Sequence, residues 1–227
     1  MAGQRLRGSR YLLGSLILLL IVFPALTDLA RPVLLTSVVA GVFLGGVVVV
    51  EPGKHRVRIA VVLAAMQVAL TMTLVWLRES SFLYRLNLAI GLSTTAILIA
   101  YCIYCVLRYV LQATRITRDQ IYAGISVYLM IGFAFGSAYY LINALKPGGF
   151  AINASPLAAD PTPDLMYFSF VTLATLGYGD ITPVARPLRV LAELEALAGS
   201  LYMAIFMARL VSLHSSHHEK THGSGQE

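Results

Sequence analysis

Long apolar stretches are the feature that most limits what this chain can fold into. Six of them follow one another, and most reach the ~20 residues that a helix needs to cross a bilayer. They cover residues 11–26, 33–50, 59–77, 86–107, 121–142 and 188–213. Because lipid offers no hydrogen-bond partner to the backbone, these stretches are expected to be helical. The sequence therefore predicts an all-α membrane protein with six transmembrane helices.

Composition and charge placement favour a membrane protein over one that binds nucleic acid. Hydrophobic residues make up 58% of the 227 residues and charged residues only 12%, which is unlike a soluble globular domain. The net charge of +6 comes from short basic clusters between the apolar stretches, not from a dense block of Lys and Arg. We therefore expect the lipid bilayer, and no nucleic acid, as the partner of this chain.

The most specific local sequence lies between the last two apolar stretches, at residues 172–180 (TLATLGYGD). Gly177 and Gly179 alternate there with bulkier residues, and glycine reaches the left-handed backbone region without a clash of Cβ. An alternating backbone of this kind can aim successive carbonyls towards one axis. A ring of such carbonyls can replace the hydration shell of a potassium ion.

The sequence Thr-Leu-Gly-Tyr-Gly-Asp resembles the selectivity filter of potassium channels. Residues 165–171 look like the pore helix, and residues 181–183 and then 186–213 look like the outer mouth and the inner helix. With the preceding helix, the resemblance covers about residues 121–213. It implies a re-entrant pore helix and a selectivity filter between the fifth and sixth helices. Because one chain carries one filter sequence, the resemblance also implies a homotetramer around a pore for potassium ions, without a cofactor.

The resemblance assigns potassium binding to the filter backbone. The K⁺ sites are expected at the carbonyls of Thr175, Leu176, Gly177 and Tyr178, together with the Thr175 hydroxyl, and Gly179 is expected at the outer mouth. The side chains of Leu176 and Tyr178 should point away from the axis and hold the filter open from behind. The family often has Val where this chain has Leu176, a departure that bears on the stiffness of the filter.

Further residues are expected to support the filter: Thr172, Asp180, Tyr167, Phe168 and Glu195. Tyr167 and Phe168 stand where the family often has a pair of Trp residues. Asp180 could bond behind the filter or attract cations at its mouth, and a simple turn-forming role is the alternative. Glu195 lies early in the sixth helix, where a carboxylate at membrane depth needs a partner. It could brace the back of the filter or lie in water at the interface.

The sixth helix contains a glycine that resembles the family's inner-helix hinge. Gly199 lies twenty residues after Gly179. Glycine lowers helix propensity by ~1 kcal/mol relative to alanine, which suits a bend, but close helix packing is the competing explanation. Steps of four from Gly199 place Met203, Met207 and Val211 on one face. We expect these three to line the inner cavity and a possible gate, with lipid- or helix-facing positions as the alternative.

The rest of the sequence divides into a front domain, a connector and a tail. Residues 1–107 are expected to form a four-helix transmembrane domain, residues 108–120 an amphipathic connector, residues 121–213 the pore domain and residues 214–227 a solvated cytoplasmic tail. A voltage sensor needs about 3–4 gating charges per subunit, and the fourth stretch contains no Arg or Lys. The front domain is therefore not expected to sense voltage strongly.

Basic residues also predict the orientation in the membrane. A filter that enters from the outer side, combined with six spans, places both termini in the cytoplasm. The segments then inside hold eleven Lys and Arg residues and those outside hold six, which agrees with the positive-inside rule. We expect a multi-pass protein of a cell membrane, most simply a bacterial inner membrane.

The sequence thus predicts a potassium-selective channel that conducts K⁺ passively and is not strongly voltage-gated. Two alternatives stay open: a poorly selective cation channel, and a membrane subunit of a larger assembly whose pore is regulatory or silent. The sequence has no nucleophile–base set, metal-binding spacing or phosphate-binding loop, so we do not expect an enzyme.

Overall fold

The computed structural model describes residues 8–29, 32–50, 54–74, 82–112, 117–152 and 161–223. The described chain is mostly helical, as predicted. Its helices are α1 (Ser9–Leu29), α2 (Pro32–Val50), α3 (Lys54–Leu74), α4 (Phe82–Leu111), α5 (Arg118–Leu145), α6 (Thr162–Leu173) and α7 (Arg186–Gly223). Two short strands, β1 (Phe150–Ile152) and β2 (Ile181–Pro183), flank α6 in the sequence.

Several of the described helices are long and apolar enough to cross a membrane. Four such spans are Lys54–Thr73, Phe82–Leu111, Arg118–Leu145 and Arg186–Leu213. Helices α1 and α2 contain shorter apolar segments, Ser9–Pro24 and Ser37–Val48. The chain is therefore a multi-pass membrane protein, and the crossing of the bilayer by α1 and α2 stays a prediction.

Phe133 of α5 is the centre of the contact between the front helices and the pore region. Its buried ring meets Phe23 of α1 at 6.3 Å, Phe43 of α2 at 6.1 Å and Phe170 of α6 at 5.4 Å between ring centroids. All three pairs have the edge-to-face geometry that aromatic rings prefer. The front helices consequently pack on α5 and α6 of their own chain.

A buried carboxylate joins the start of α1 to the end of α4 and the start of α5. Asp119 is 5% exposed. It accepts hydrogen bonds from the backbone N–H of Ser9 at 3.0 Å, the Ser9 hydroxyl at 2.9 Å and the Tyr109 hydroxyl at 2.9 Å. A buried charge is costly unless it is hydrogen-bonded, and these three donors meet that requirement.

The predicted connector of residues 108–120 overlaps the ends of two long helices. Helix α4 continues to Leu111, and α5 begins after Thr117, which forms a capping box with Gln120. Residues 113–116 lie outside the described residues. The described part of this segment therefore belongs to α4 and α5 and their caps, and its prediction as a surface-lying amphipathic unit is not tested.

The segment between α5 and the pore helix α6 contains a strand that the sequence did not indicate. Strand β1 pairs antiparallel with β2, with Phe150 opposite Pro183 and Ile152 opposite Ile181. The ribbon therefore joins the segment before α6 to the segment that follows residues 175–179. Residues 153–160 of this loop lie outside the described residues.

Helix α7 is longer than the predicted sixth span of residues 188–213. It begins at Arg186 and continues to Gly223, so residues 214–223 of the predicted tail are helical. No proline or glycine interrupts the sequence between Gly199 and Gly223, which lets the helix continue. Residues 224–227 lie outside the description.

Candidate functional site

Helix α6, the predicted pore helix, points its C-terminal end at the filter sequence. It begins after Pro161, with a second proline in its first turn, where the missing N–H removes no helical hydrogen bond. It ends at Leu173, and the N–H groups of Thr175 and Leu176 still donate to the carbonyls of Thr172 and Val171 at 2.9 Å. The carbonyl end of a helix carries a partial negative charge, which favours a cation beyond it.

The backbone φ angle is positive at every second residue from Thr175 to Gly179. Thr175, Gly177 and Gly179 have positive φ angles of 57°, 55° and 77°. Glycine adopts this region freely, but for a β-branched residue such as Thr175 it is a genuine outlier. Strained backbone of this kind persists where the surrounding structure determines it, and it concentrates at functional sites.

The filter strand, residues 175–179, leaves its first four backbone carbonyls without a hydrogen-bond donor from the described part of the chain. Within the described part of the chain, the carbonyls of residues 175–178 accept no hydrogen bond. The side chains of Leu176 and Tyr178 are 56% and 66% exposed, so a single chain does not cover them. Grouped His, Cys, Asp or Glu ligands for a metal are also absent from the described residues. The backbone oxygens of residues 175–178 and the Thr175 hydroxyl stay the predicted cation ligands of this segment.

Asp180 fastens the outer end of the filter strand to the pore helix. One carboxylate oxygen accepts the Tyr167 hydroxyl at 2.9 Å, and the other accepts the backbone N–H of Ile181 at 3.0 Å. The hydrogen bond to Asp180 raises the pKa of the Tyr167 phenol above its ordinary value of 10.0. Two of the predicted supporting residues, Tyr167 and Asp180, are thus brought together.

Phe168 lies on a different side of α6 from Tyr167. Its buried ring meets Tyr139 of α5 at 5.1 Å and Phe150 of β1 at 5.3 Å between centroids. These contacts fix the pore helix against α5 and the two-stranded ribbon. Thr172 is half-buried, and its carbonyl accepts the Thr175 N–H, so its part in the site is through the backbone.

Glu195 of α7 lies fully buried behind the pore helix. It is 0% exposed. One of its oxygens lies 2.5 Å from the Ser169 hydroxyl of α6, and the other accepts the Tyr139 hydroxyl at 2.7 Å. The interfacial alternative does not fit this burial. Sequence reasoning missed Ser169 and Tyr139 as partners because neither stands out in an apolar helix until the helices are packed.

Gly199 allows α7 to approach the end of the pore helix closely. A Cβ at this position would lie 2.5 Å from the carbonyl oxygen of Leu173. The same carbonyl accepts the Tyr128 hydroxyl of α5 at 3.2 Å. The packing alternative for Gly199 therefore has a definite contact, while α7 is a continuous helix through this residue and the hinge stays a prediction.

Beyond Gly199, one face of α7 is held against α5 and another is open. The Tyr202 hydroxyl donates to the Gly124 carbonyl at 2.6 Å, and the ring of Phe206 lies directly over Gly124. Exposed side chains on the neighbouring face include those predicted to line the cavity: Met203, Met207 and Val211. This exposed face can contact other chains or lipid, or line a water-filled cavity.

The chain matches the family model described as "Ion channel" over residues 127–215. It is 35% identical to two pore potassium channel c of Oryza sativa subsp. japonica over 86 residues, which are 38% of this chain and 18% of that protein. It is 30% identical to protein LctB of Bacillus caldotenax over 104 residues, 44% of this chain and 77% of that protein. It is also 30% identical to two-pore potassium channel 3 of Arabidopsis thaliana over 101 residues, 44% of this chain and 21% of that protein. No solved structure gives a significant match.

The matched region begins within α5 and contains α6, the filter strand and the first part of α7. The chain spans only about a fifth of the plant channels that it matches, but it covers 77% of LctB. These matches indicate a channel and not an enzyme. On this similarity, the chain belongs to the ion channel family, which includes potassium channels.

Proposed function

We propose that this chain forms a homotetrameric channel that conducts potassium ions passively across a cell membrane. The observation that carries the proposal is the filter strand. Its φ angles are positive at Thr175, Gly177 and Gly179, and the residues between them are Leu176 and Tyr178. An alternating backbone turns successive carbonyls to the same side, and in the described chain the carbonyls of residues 175–178 accept no hydrogen bond.

Several chains are needed to make a binding site from such a strand. One chain supplies one column of oxygens, whereas a dehydrated potassium ion needs oxygens on all sides. Four chains around an axis would supply rings from the carbonyls of Thr175, Leu176, Gly177 and Tyr178, with Gly179 at the outer mouth. Burial of Leu176 and Tyr178 between adjacent chains would also remove their large exposed areas from water.

The residues around the filter have separate roles in this proposal. Tyr167 and Asp180 tie the outer end of the filter strand to the pore helix, and Phe168 holds the pore helix from behind. Thr172 accepts the Thr175 N–H, which sets where the filter strand begins. Glu195 links α7 to α6 and α5 at the same depth.

Helix α7 would line the cavity below the filter. Met203, Met207 and Val211 would face the axis, where a ring of apolar side chains can close a pore by excluding water. A bend at Gly199 would separate them and open the path. Within residues 86–107 of α4 there is no Arg or Lys, so this opening would not depend strongly on voltage.

The proposal also includes the placement of the chain in its membrane. Six spans, with α1 and α2 crossing the bilayer like the four longer helices, would place both termini in the cytoplasm. The excess of basic residues on that side agrees with this orientation. The membrane included in the proposal is a bacterial inner membrane.

Ion flux from liposomes tests the proposal. Purified protein in potassium-loaded liposomes, diluted into sodium buffer, should generate a potential that drives proton uptake when an uncoupler is added. Gly177→Ala places a side chain where φ is 55° and should abolish the flux. Gly14→Ala is the matched control, because a Cβ there meets nothing within 4 Å. Equal flux from the Gly177 variant and the wild type would contradict the proposal.

A further inference from the structure

The contacts around Ser169 require more hydrogen atoms than the two hydroxyl groups provide. The Ser169 oxygen lies 2.8 Å from the Gly132 carbonyl and 2.5 Å from one oxygen of Glu195. The Tyr139 oxygen lies 2.7 Å from the other oxygen of Glu195. Each of these three oxygen–oxygen contacts needs one hydrogen, because two oxygens this close without a hydrogen repel each other. Ser169 and Tyr139 together supply two.

Among the described groups at these three contacts, the Glu195 carboxyl group is the one remaining source of the third hydrogen. A carbonyl oxygen carries none, so the Ser169 hydroxyl must donate if its contact with Gly132 is a hydrogen bond. Its contact with Glu195 is then a hydrogen bond only if Glu195 donates. The alternative, an ionised Glu195 that accepts from both hydroxyls, leaves the oxygens of Ser169 and Gly132 facing each other at 2.8 Å.

The surroundings of Glu195 offer no positive charge that would favour the ionised form. Among the described residues, Lys, Arg and His form no ion pair with it, and its side chain is fully buried. The titratable groups that face it from α5 are the hydroxyls of Tyr139 and Tyr128, which are neutral donors. From α6 it meets Ser169. An isolated carboxylate in such a place would be very costly.

We infer that Glu195 is protonated and donates a hydrogen bond to Ser169. The neutral hydrogen-bonded groups then form a chain from α7 through α6 to α5, which we call the neutral relay. In this relay Tyr139 donates to Glu195, Glu195 donates to Ser169, and Ser169 donates to the Gly132 carbonyl. Glu195 is thereby a positioning residue for the pore helix, which leads directly into the filter strand. Its effect on conduction rests on the proposed function, whereas its protonation does not.

Infrared difference spectroscopy tests the proton directly and does not depend on conduction. At pH 7.5 exposed Asp and Glu side chains are ionised. The wild-type spectrum should therefore contain a carbonyl-stretching band of a protonated carboxylic acid that Glu195→Gln removes. Glu193→Gln, which changes an exposed carboxylate two residues away, should leave the band in place. The absence of any band lost in Glu195→Gln would overturn the inference.

Variants of Ser169 and Tyr139 test which hydrogen bonds the carboxylic acid makes. Ser169→Ala removes the acceptor of the acid proton, so the band should persist and move to higher frequency. Tyr139→Phe removes a donor to the other oxygen and should also shift the band without removing it. A band that moves in neither variant would contradict the relay.

Conduction then shows whether the neutral relay positions the filter. Glu195→Gln retains a donor for Ser169 and an acceptor for Tyr139, so it should keep the wild-type reversal potential and unitary conductance. Glu195→Leu has neither group and should lose at least tenfold in potassium flux at equal amounts of assembled protein. A Gln variant as defective as the Leu variant would mean that the proton is not what the site needs. If no variant and no wild-type protein conducts, the proposed function fails, while the infrared result stands by itself.

Discussion

The contact between Gly199 and the Leu173 carbonyl makes a quantitative prediction for Gly199→Ala. The added Cβ would lie 2.5 Å from a backbone oxygen and 2.9 Å from the Leu173 Cδ1 atom. To restore the 3.4 Å at which ordinary contact begins, α7 and α6 would have to separate locally by about 0.9 Å. The oxygen cannot turn away, because it belongs to the main chain and also accepts the Tyr128 hydroxyl.

Two opposing terms decide the sign of the effect on stability. Alanine is favoured over glycine in a helix by about 1 kcal/mol. Overpacking of a well-packed interior costs about 1–3 kcal/mol, and a clash with main-chain atoms belongs at the upper end. We expect a net loss of about 2 kcal/mol in the free energy of unfolding, together with a lower unitary conductance, because the displaced Leu173 directly precedes the filter strand.

Unfolding in detergent, followed by helical circular dichroism, measures the first quantity and single-channel recording the second. Gly14→Ala is the control, since its Cβ meets no atom within 4 Å, and it should be neutral or slightly stabilising. If Gly199 serves only as a hinge, Gly199→Ala should instead stabilise the protein and reduce opening at an unchanged unitary conductance. A Gly199 variant as stable as the wild type or more stable would refute the packing argument.

Three further predictions concern the two ends of the molecule. Asp119→Ala removes the acceptor of three donors, the buried Ser9 N–H and hydroxyl and the half-buried Tyr109 hydroxyl. It should lower the free energy of unfolding by about 1.5–3 kcal/mol in a thermal or chemical melt. An unchanged melt would contradict the structural role of this carboxylate. Arg209 donates a hydrogen bond to the Leu111 carbonyl at the end of α4. Arg209→Met should therefore speed amide hydrogen exchange in the last turn of α4, by the equivalent of about 0.3–1 kcal/mol. Arg118→Met is the control and should leave this exchange unchanged. Because the pKa of Tyr167 is raised, its contact with Asp180 at the outer mouth is present below pH 10 and is lost as the pH rises through the higher pKa of the folded protein. The phenolate absorbance that Tyr167→Phe removes should therefore appear at a higher pH than the absorbance of free tyrosine. Titration of Tyr167 at the ordinary pKa would contradict this contact.

The long helices could be predicted from the sequence because each carries a continuous apolar signal. The match to an ion channel family likewise lies where the filter sequence predicted it. Short elements gave no such signal. Strands β1 and β2 have three residues each and pair across the whole of α6, so neither a period nor a turn sequence indicates them.

Polar partners inside the membrane were the hardest to predict. Asp119 lies in a segment that reads as an amphipathic surface helix, yet its donors come from Ser9 and Tyr109, which are far apart in the sequence. Glu195 stood out because a carboxylate is rare at membrane depth. Its partner Ser169 did not, since a single hydroxyl in an apolar helix commonly bonds to its own backbone. Only the packing of α5, α6 and α7 brings these groups together.

The central claim is potassium selectivity through the filter strand, and the reversal potential tests it most directly. Purified protein in a planar bilayer should be recorded with potassium on one side and sodium on the other while the voltage is stepped. A potassium-selective filter strand should give a reversal potential close to the limit for a membrane permeable to potassium alone, with opening that depends only weakly on voltage. A reversal potential near zero would contradict it.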